Sequence, residues 1–271
     1  MKKTKRHTAK MNILHFHVLI ARYFRQIFTN LSTLLPLILE APVMLIILYV
    51  ACSPNAFETK DVTQANVSIF LPVVMAALMG ILNSYREICK EREILSREVF
   101  GGLDVSAYAL SKLVVLSAIG AVQCTVLFFG SVPFINYTFS NPVEGYILCP
   151  LAMILTNISV TSIGLFISAL LKKSESAILP VLLIIIVQVV FSDCLIELSG
   201  GAGLFKYITP STWGIAAFGK LCGLNNFRPA YFHKDLYDLN EFIPVLILIA
   251  MTFLFTALTI FKLKRAYRQK D

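Results

Sequence analysis

Six apolar runs organise the chain: Leu31 to Ala51, Val67 to about Tyr85, Leu110 to Phe134, Gly145 to Leu171, Ala177 to about Leu198, and Phe242 to Phe261. Each is near the roughly 20 residues that a helix needs to cross the hydrocarbon core of a bilayer. The runs are continuous rather than alternating, which predicts helices and not the strands of a closed barrel. Backbone groups inside lipid must bond within their own segment, so helices also satisfy the chemistry. The pattern predicts an all-α integral membrane protein with six transmembrane helices.

Two further helices are predicted between or before the runs. Residues MNILHFHVLIARYFRQIF place Leu14, Val18, Leu19 and Phe24 on one face and Arg22, Arg25 and Gln26 on another. This is the pattern of an amphipathic helix lying in a membrane interface. Between the second and third runs, Arg86 to Glu98 is rich in both signs of charge and in good helix formers. Ile88, Ile94, Leu95 and Val99 give it an apolar stripe, Glu93 and Arg97 stand at i,i+4, and Gly101-Gly102 predicts its stop. The chain then divides into a basic tail and interfacial helix (1–29), a six-span membrane domain (30–262) and a second basic tail (263–271).

Composition agrees with this reading. The 271 residues are 57% hydrophobic and only 15% charged, whereas a soluble domain is usually about a quarter charged. The formal net charge of +8 reads as topology. Nineteen of the 24 lysines and arginines fall in the N-terminal tail, the second and fourth connections and the C-terminus. The positive-inside rule puts these in the cytoplasm, together with both termini, as an even number of spans requires. Nucleic acid is a poor partner for basic residues scattered in separate juxtamembrane clusters. The expected location is the cell membrane.

Candidate chemistry is sparse. The sequence holds no GxxxxGK[ST] loop, GxSxG elbow, HExxH or SxxK motif, so neither catalysis nor nucleotide binding is expected on these residues. No cofactor and no metal site is expected: the six cysteines form no CxxC pair, and His15 and His17 point to different helix faces. Free thiols are the expectation, with a Cys194–Cys222 bridge as the alternative in an oxidising compartment. Glu40 is the conspicuous acidic residue, deep in the first run. An ionised carboxylate there costs about 2.5–3.5 kcal/mol on insertion scales. It is expected to face protein or a cavity, with Asn83, Gln123 or Asn157 as partner, in a structural role or in substrate contact or proton handling.

The segment R-E-x-x-x-E-R-x-I-x-x-R-E from Arg86 to Glu98, followed by Tyr-Ala-Leu-Ser-Lys at 108–112, resembles the membrane domain of ABC-2 type transporters. More narrowly it resembles the G-subfamily, type V exporters. Leu39-Glu-Ala-Pro, Gly164-Leu-Phe-Ile-Ser-Ala-Leu, Phe191-Ser and Tyr207-Ile-Thr-Pro-Ser-Thr-Trp-Gly extend the likeness over about residues 15 to 265. Two departures stand out: many members carry a fused ATPase and this sequence does not, and Glu40 stands where Gln is common.

The resemblance implies the permease subunit of an ATP-driven exporter, working as a pair of membrane subunits, expected to be a homodimer in the lipid bilayer. ATP and Mg²⁺ would be held by a separate nucleotide-binding (ATPase) subunit. It implies a coupling helix at Glu91 to Phe100, with Arg86, Glu87, Glu91, Arg92, Arg97 and Glu98 at or behind the ATPase contact. It also implies a substrate cavity lined by Phe70, Val74, Leu78, Met79, Ile185, Gln188 and Ser192. A membrane-embedded sensor or intramembrane enzyme without transport is the alternative, though Glu40 is the one convincingly deep ionisable group and no soluble output domain is evident.

Overall fold

The computed structural model describes residues 13–192, 194, 200–227 and 232–267. The basic residues of 1–12 and 268–271, Arg228 and the end of the fifth apolar run near Leu198 lie outside them. Among the described residues every regular element is helical. Five helices are long and apolar enough to cross a membrane: α2 (Leu31–Ala51), α3 (Val62–Ser84), α5 (Val105–Ser131), α6 (Pro142–Leu170) and α9 (Phe242–Ala266). The others are α1 (Ile13–Thr29), α4 (Arg92–Phe100), α7 (Ile178–Val190) and α8 (Pro210–Leu221).

The helix starts follow the sequence. Asn30, Asp61 and Asp104 are extended residues whose side-chain oxygens accept from the amides of Ser32, Thr63 and Ser106, so each satisfies an otherwise orphaned donor. Pro142 and Pro210 occupy first-turn positions of α6 and α8, where a missing N–H costs nothing. Gly101 and Gly102 end α4, and Gly102 takes a φ of +98° that an L side chain would resist.

Among the described residues the fifth apolar run forms the shorter apolar helix Glu175–Val190. At about 1.5 Å per residue it spans about 24 Å, less than a hydrocarbon core of about 30 Å. The Tyr207 to Gly214 stretch, which falls between the fifth and sixth apolar runs, leads into α8, which is buried on almost every side from Pro210 to Leu221. Its small and hydroxylated residues, Ser211, Thr212, Gly214, Ala216, Ala217 and Gly219, let neighbouring helices close over it.

The central element is α6, which packs against α3, α5, α8 and α9. Its closest partner is α3, and the seam is built from small and hydroxylated side chains, as expected where lipid removes any hydrophobic drive for helices to associate. A Cβ on Gly80 would stand 2.5 Å from the Asn157 carbonyl oxygen, and one on Gly164 would overlap the Ser84 hydroxyl. Asn157 Nδ2 donates to the Ala76 carbonyl at 2.8 Å, and Ser84 Oγ donates to the Gly80 carbonyl at 2.6 Å. By contrast α2 buries little beyond Ala41 and Leu48 and carries Pro36 and Pro42. The six cysteines are all buried thiols. No bridge joins Cys194 to Cys222: Cys194 Sγ instead donates to the Asn66 carbonyl at 3.5 Å.

The seam between α3 and α6 has no spare volume, so Gly164→Val is expected to lower stability by about 1–3 kcal/mol through overpacking. Thermal unfolding in detergent checks this, with Val122→Ala on the exposed side of α5 as the neutral comparison.

Candidate functional site

The densest polar chemistry lies where α3 ends. The chain leaves α3 at Tyr85, makes a 3-10 turn over Cys89–Glu91 and enters α4. A turn at this depth exposes backbone donors that need partners. Ser168 of α6 supplies one: its Oγ accepts from the amides of Ile88 at 2.9 Å and Cys89 at 3.0 Å. The turn is thereby fixed to the central helix.

That turn delivers Glu87 and Glu91 to a lysine on α5. Lys112 is only 2% exposed. Its Nζ lies 2.8 Å from Glu91 Oε2 and 3.4 Å from Glu87 Oε2. It also sits 3.6 Å from the centre of the Tyr23 ring, on whose face a cation is attracted. Glu87 accepts from the Tyr23 hydroxyl and pairs with Lys90. Glu91 accepts from Tyr108 Oη at 2.9 Å and from Gln26 Nε2 at 3.2 Å. Two carboxylates thus face two ammonium groups, and three further donors fill the remaining lone pairs. A buried ion cluster is tolerated only on those terms. Burial, and then the charge of Glu87, push the Tyr23 phenol well above its usual range, so it remains a hydrogen-bond donor.

The cluster ties three elements together: α1 through Tyr23 and Gln26, the turn before α4 through Glu87 and Glu91, and α5 through Tyr108 and Lys112. Two outer contacts extend it. Arg22 grips Glu98 with two hydrogen bonds, 2.5 and 3.1 Å. Arg92 donates to the Leu171 carbonyl at 2.5 Å, while Tyr267, just past α9, donates to the Arg92 carbonyl at 3.3 Å.

The six residues expected at a coupling contact therefore divide. Glu87 and Glu91 turn into the ion cluster toward Lys112, Glu87 buried and Glu91 half-buried. Arg92 and Glu98 are half-buried and already bonded. Arg86 is exposed and lies against Tyr85, its Nε 2.7 Å from the hydroxyl. Arg97 is exposed, and the i,i+4 pair expected with Glu93 is not formed among the described residues. The open face of α4 consists of Glu93, Ile94, Ser96, Arg97 and Phe100. Ile94 is 55% and Phe100 83% exposed. Ile94 is thus not part of the stripe expected with Ile88, Leu95 and Val99, which turns inward without it. On α1 the inward face is Leu19, Tyr23 and Ile27, while Leu14, Val18 and Phe24 stand exposed. The shared face expected for those four apolar residues is split because Tyr23 must reach Glu87.

The residues assigned to a cavity are mostly interior to this chain. Phe70, Val74 and Met79 belong to the main apolar core. Gln188 Oε1 accepts from the Ser211 amide at 3.1 Å, and Ser192 Oγ donates to the Val189 carbonyl at 2.8 Å, both side chains being buried. Leu78 and Ile185 keep partial exposure. A cavity of about 270 Å³ does exist, but at the other end of the bundle, against Asn141, Glu144, Lys220, Asn226, Asp238 and Glu241.

Glu40 accepts from Gln123 Nε2 at 2.9 Å; the same nitrogen donates to the Leu37 carbonyl at 2.8 Å. Asn83 Nδ2 in turn donates to Gln123 Oε1 at 2.9 Å. Of the three candidate partners, Gln123 and Asn83 serve, while Asn157 is committed to α3.

Sequence reasoning missed Lys112, Tyr23 and Tyr108 as a unit. The available signal was a lysine seven residues into an otherwise apolar helix, with four glutamates in the preceding charged segment, Glu87 and Glu91 among them.

A model of the family described as ABC-2 type transporter matches residues 15–221. The chain is also similar to the ABC transporter ATP-binding/permease protein Rv1747 of Mycobacterium tuberculosis (strain ATCC 25618 / H37Rv), at 29% identity over 154 residues. That match covers 53% of this chain and 17% of the relative.

Removing Lys112 leaves Glu91 without its counter-charge and Glu87 with Lys90 alone. Lys112→Met is expected to destabilise by about 3–5 kcal/mol, and adding Glu87→Gln and Glu91→Gln should recover much of that in thermal unfolding. The Tyr23 phenol has a higher pKa folded than unfolded. Its contribution is complete below about pH 10 and is lost as pH rises further. Tyr23→Phe should flatten this alkaline limb.

Proposed function

This chain belongs to the ABC-2 type transporter family, and we propose that it is the membrane-spanning permease subunit of an ATP-driven exporter whose nucleotide-binding subunit is a separate chain. ATP and Mg²⁺ would reside on that partner. Two membrane subunits, in the simplest case identical, would pair in the cell membrane, each resting on one ATPase subunit.

The observation that carries this reading is the mounting of α4. A nine-residue helix is locked by a buried ion cluster behind it and offers Ile94, Arg97 and Phe100 in front. An almost fully exposed phenylalanine beside a charged residue, on a rigid support, suits insertion into a partner pocket. The contact with the ATPase is accordingly assigned to Glu93, Ile94, Arg97 and Phe100, with Glu87, Glu91, Arg92 and Glu98 as the support behind them. Movement of the ATPase would pass through the cluster to α1 and α5, and through Ser168 to α6.

In this orientation the end bearing α1 and α4 faces the cytoplasm, as do both termini and most of the basic residues. The exposed apolar side of α1, with Leu14, Val18, Phe24 and Phe28, would rest on the lipid interface. A sixth crossing would be made at α7, giving an even count. The substrate path between subunits is drawn over Leu78 and Ile185, the two assigned cavity residues that keep exposure.

The test is reconstitution with the nucleotide-binding subunit. ATP hydrolysis and transport are expected only when both chains are present. Phe100→Asp combined with Arg97→Glu is expected to reduce transport at least about tenfold, because hot-spot losses are about 2 kcal/mol or more, while membrane insertion and thermal stability stay unchanged. Nucleotide hydrolysis by this chain alone, or full transport by the double variant, overturns the assignment.

A further inference from the structure

Glu40 lies ten residues into α2, well inside the apolar slab. It is half-buried, so part of it opens to the outside of the bundle. Its partners are neutral amides. Gln123 spends both protons of its side-chain nitrogen on Glu40 and the Leu37 carbonyl. Asn83 fixes Gln123 from behind and reaches the same carboxylate. This chain of bonds joins α2, α5 and α3 and holds the carboxylate in one orientation.

What the site lacks is positive charge. Among the described residues no lysine, arginine or histidine pairs with Glu40. Cys124, the next residue on α5, is the titratable group within electrostatic reach, and it is a buried thiol. On α1, which also packs against α2, Arg22 is bonded to Glu98 and Arg25 is exposed. A carboxyl group with fixed amide donors and no counter-charge is costly to ionise in a low dielectric, and a cation seated beside it offsets that cost. Directly beside the three polar residues in sequence, or one turn away, stand exposed apolar side chains: Leu39 and Val43 on α2, Leu82 on α3 and Val122 on α5.

We propose that Glu40, Gln123 and Asn83 form an intramembrane binding site for the ammonium head of a hydrophobic amine, whose apolar body lies along the exposed side chains of the same helices. An ammonium supplies both the charge and the hydrogen-bond donors that the remaining carboxylate lone pairs can accept. An uncharged amide of similar shape supplies no charge and a single donor. The proposal deepens the export reading by naming a substrate class, and it rests on that reading only for the claim that the amine is moved.

The full chain in phosphatidylcholine nanodiscs, without any ATPase, is titrated with a pyrene-tagged long-chain primary amine and with its uncharged N-acetyl derivative. The amine is expected to bind about tenfold more tightly, the usual scale for one charged hydrogen bond. Glu40→Gln, which keeps the size and one acceptor oxygen but removes the charge, is expected to erase that preference. Equal binding of both probes by the wild-type protein overturns the proposal, and so does a Glu40→Gln protein that keeps the preference. A second measurement needs no variant. Dicyclohexylcarbodiimide partitions into bilayers; a carboxyl group adds its O–H across one C=N bond to give an O-acylisourea, whose acyl group then migrates from oxygen to nitrogen to leave a stable N-acylurea. Mass spectrometry is expected to find it on Glu40, with the amine protecting and the N-acetyl compound not. Absence of modification, or equal protection by the two compounds, also overturns the site. A protein that binds the amine yet does not move it when supplied with its ATPase leaves the site standing and refutes the export reading instead.

Discussion

An ammonium group 2% exposed to solvent is sustained by what surrounds it, and Lys112 is the residue around which the charged end of the molecule is arranged. Its two glutamates come from the turn that follows α3, its aromatic neighbours from α1 and from its own helix. None of these groups would be acceptable alone at that depth, since each buried charge costs several kcal/mol unless its partners are in place. The requirement acts in both directions. The lysine fixes the path of the turn, and the turn's carboxylates fix the depth of α5. The position of α4 follows, because it begins at the residue after Glu91.

The same logic, in weaker form, runs up the α3–α6 seam. There the groups are hydroxyls, an amide and glycines rather than ions. Ser168, Thr161, Asn157 and Ser84 all direct bonds at the backbone of the opposing helix, of their own, or of the turn between them. Lipid offers no advantage for apolar contact between helices, so shape and backbone hydrogen bonds hold the pair together. The result is a stiff central unit with α2, and its two prolines, attached at the side through Glu40 and Gln123.

Much of this architecture is visible in the sequence because crossing a membrane demands long apolar runs. Five of the six runs coincide with long helices, and Gly101-Gly102 marks the end of α4 as expected. Composition does not reveal which face of an apolar helix meets protein and which meets lipid. Phe70 and Leu78 look equivalent in sequence, yet one is core and the other partly open. The α8 helix escaped because its small, hydroxylated residues carry no amphipathic signature when buried on all sides. In the site, the resemblance implied Glu87 and Glu91 at or behind a partner contact without saying which. Lys112, far enough along α5 to be read as an interruption of an apolar run, turns those two residues inward. Ile94, expected in the apolar stripe, is left at the surface beside Phe100 because Leu95 is the buried residue of α4.

The cysteines carry a practical consequence. All six thiols are enclosed by packed side chains, and a thiol reacts only as an accessible thiolate. Water-soluble maleimides should therefore pass over the native protein in silence. A cysteine introduced at Phe100, Leu14 or Leu204, each largely exposed, would report against almost no background, without first stripping the chain of its own sulfur. The molecule is in this respect already prepared for mapping, from each side of a sealed vesicle, which of its surfaces looks outward and which inward.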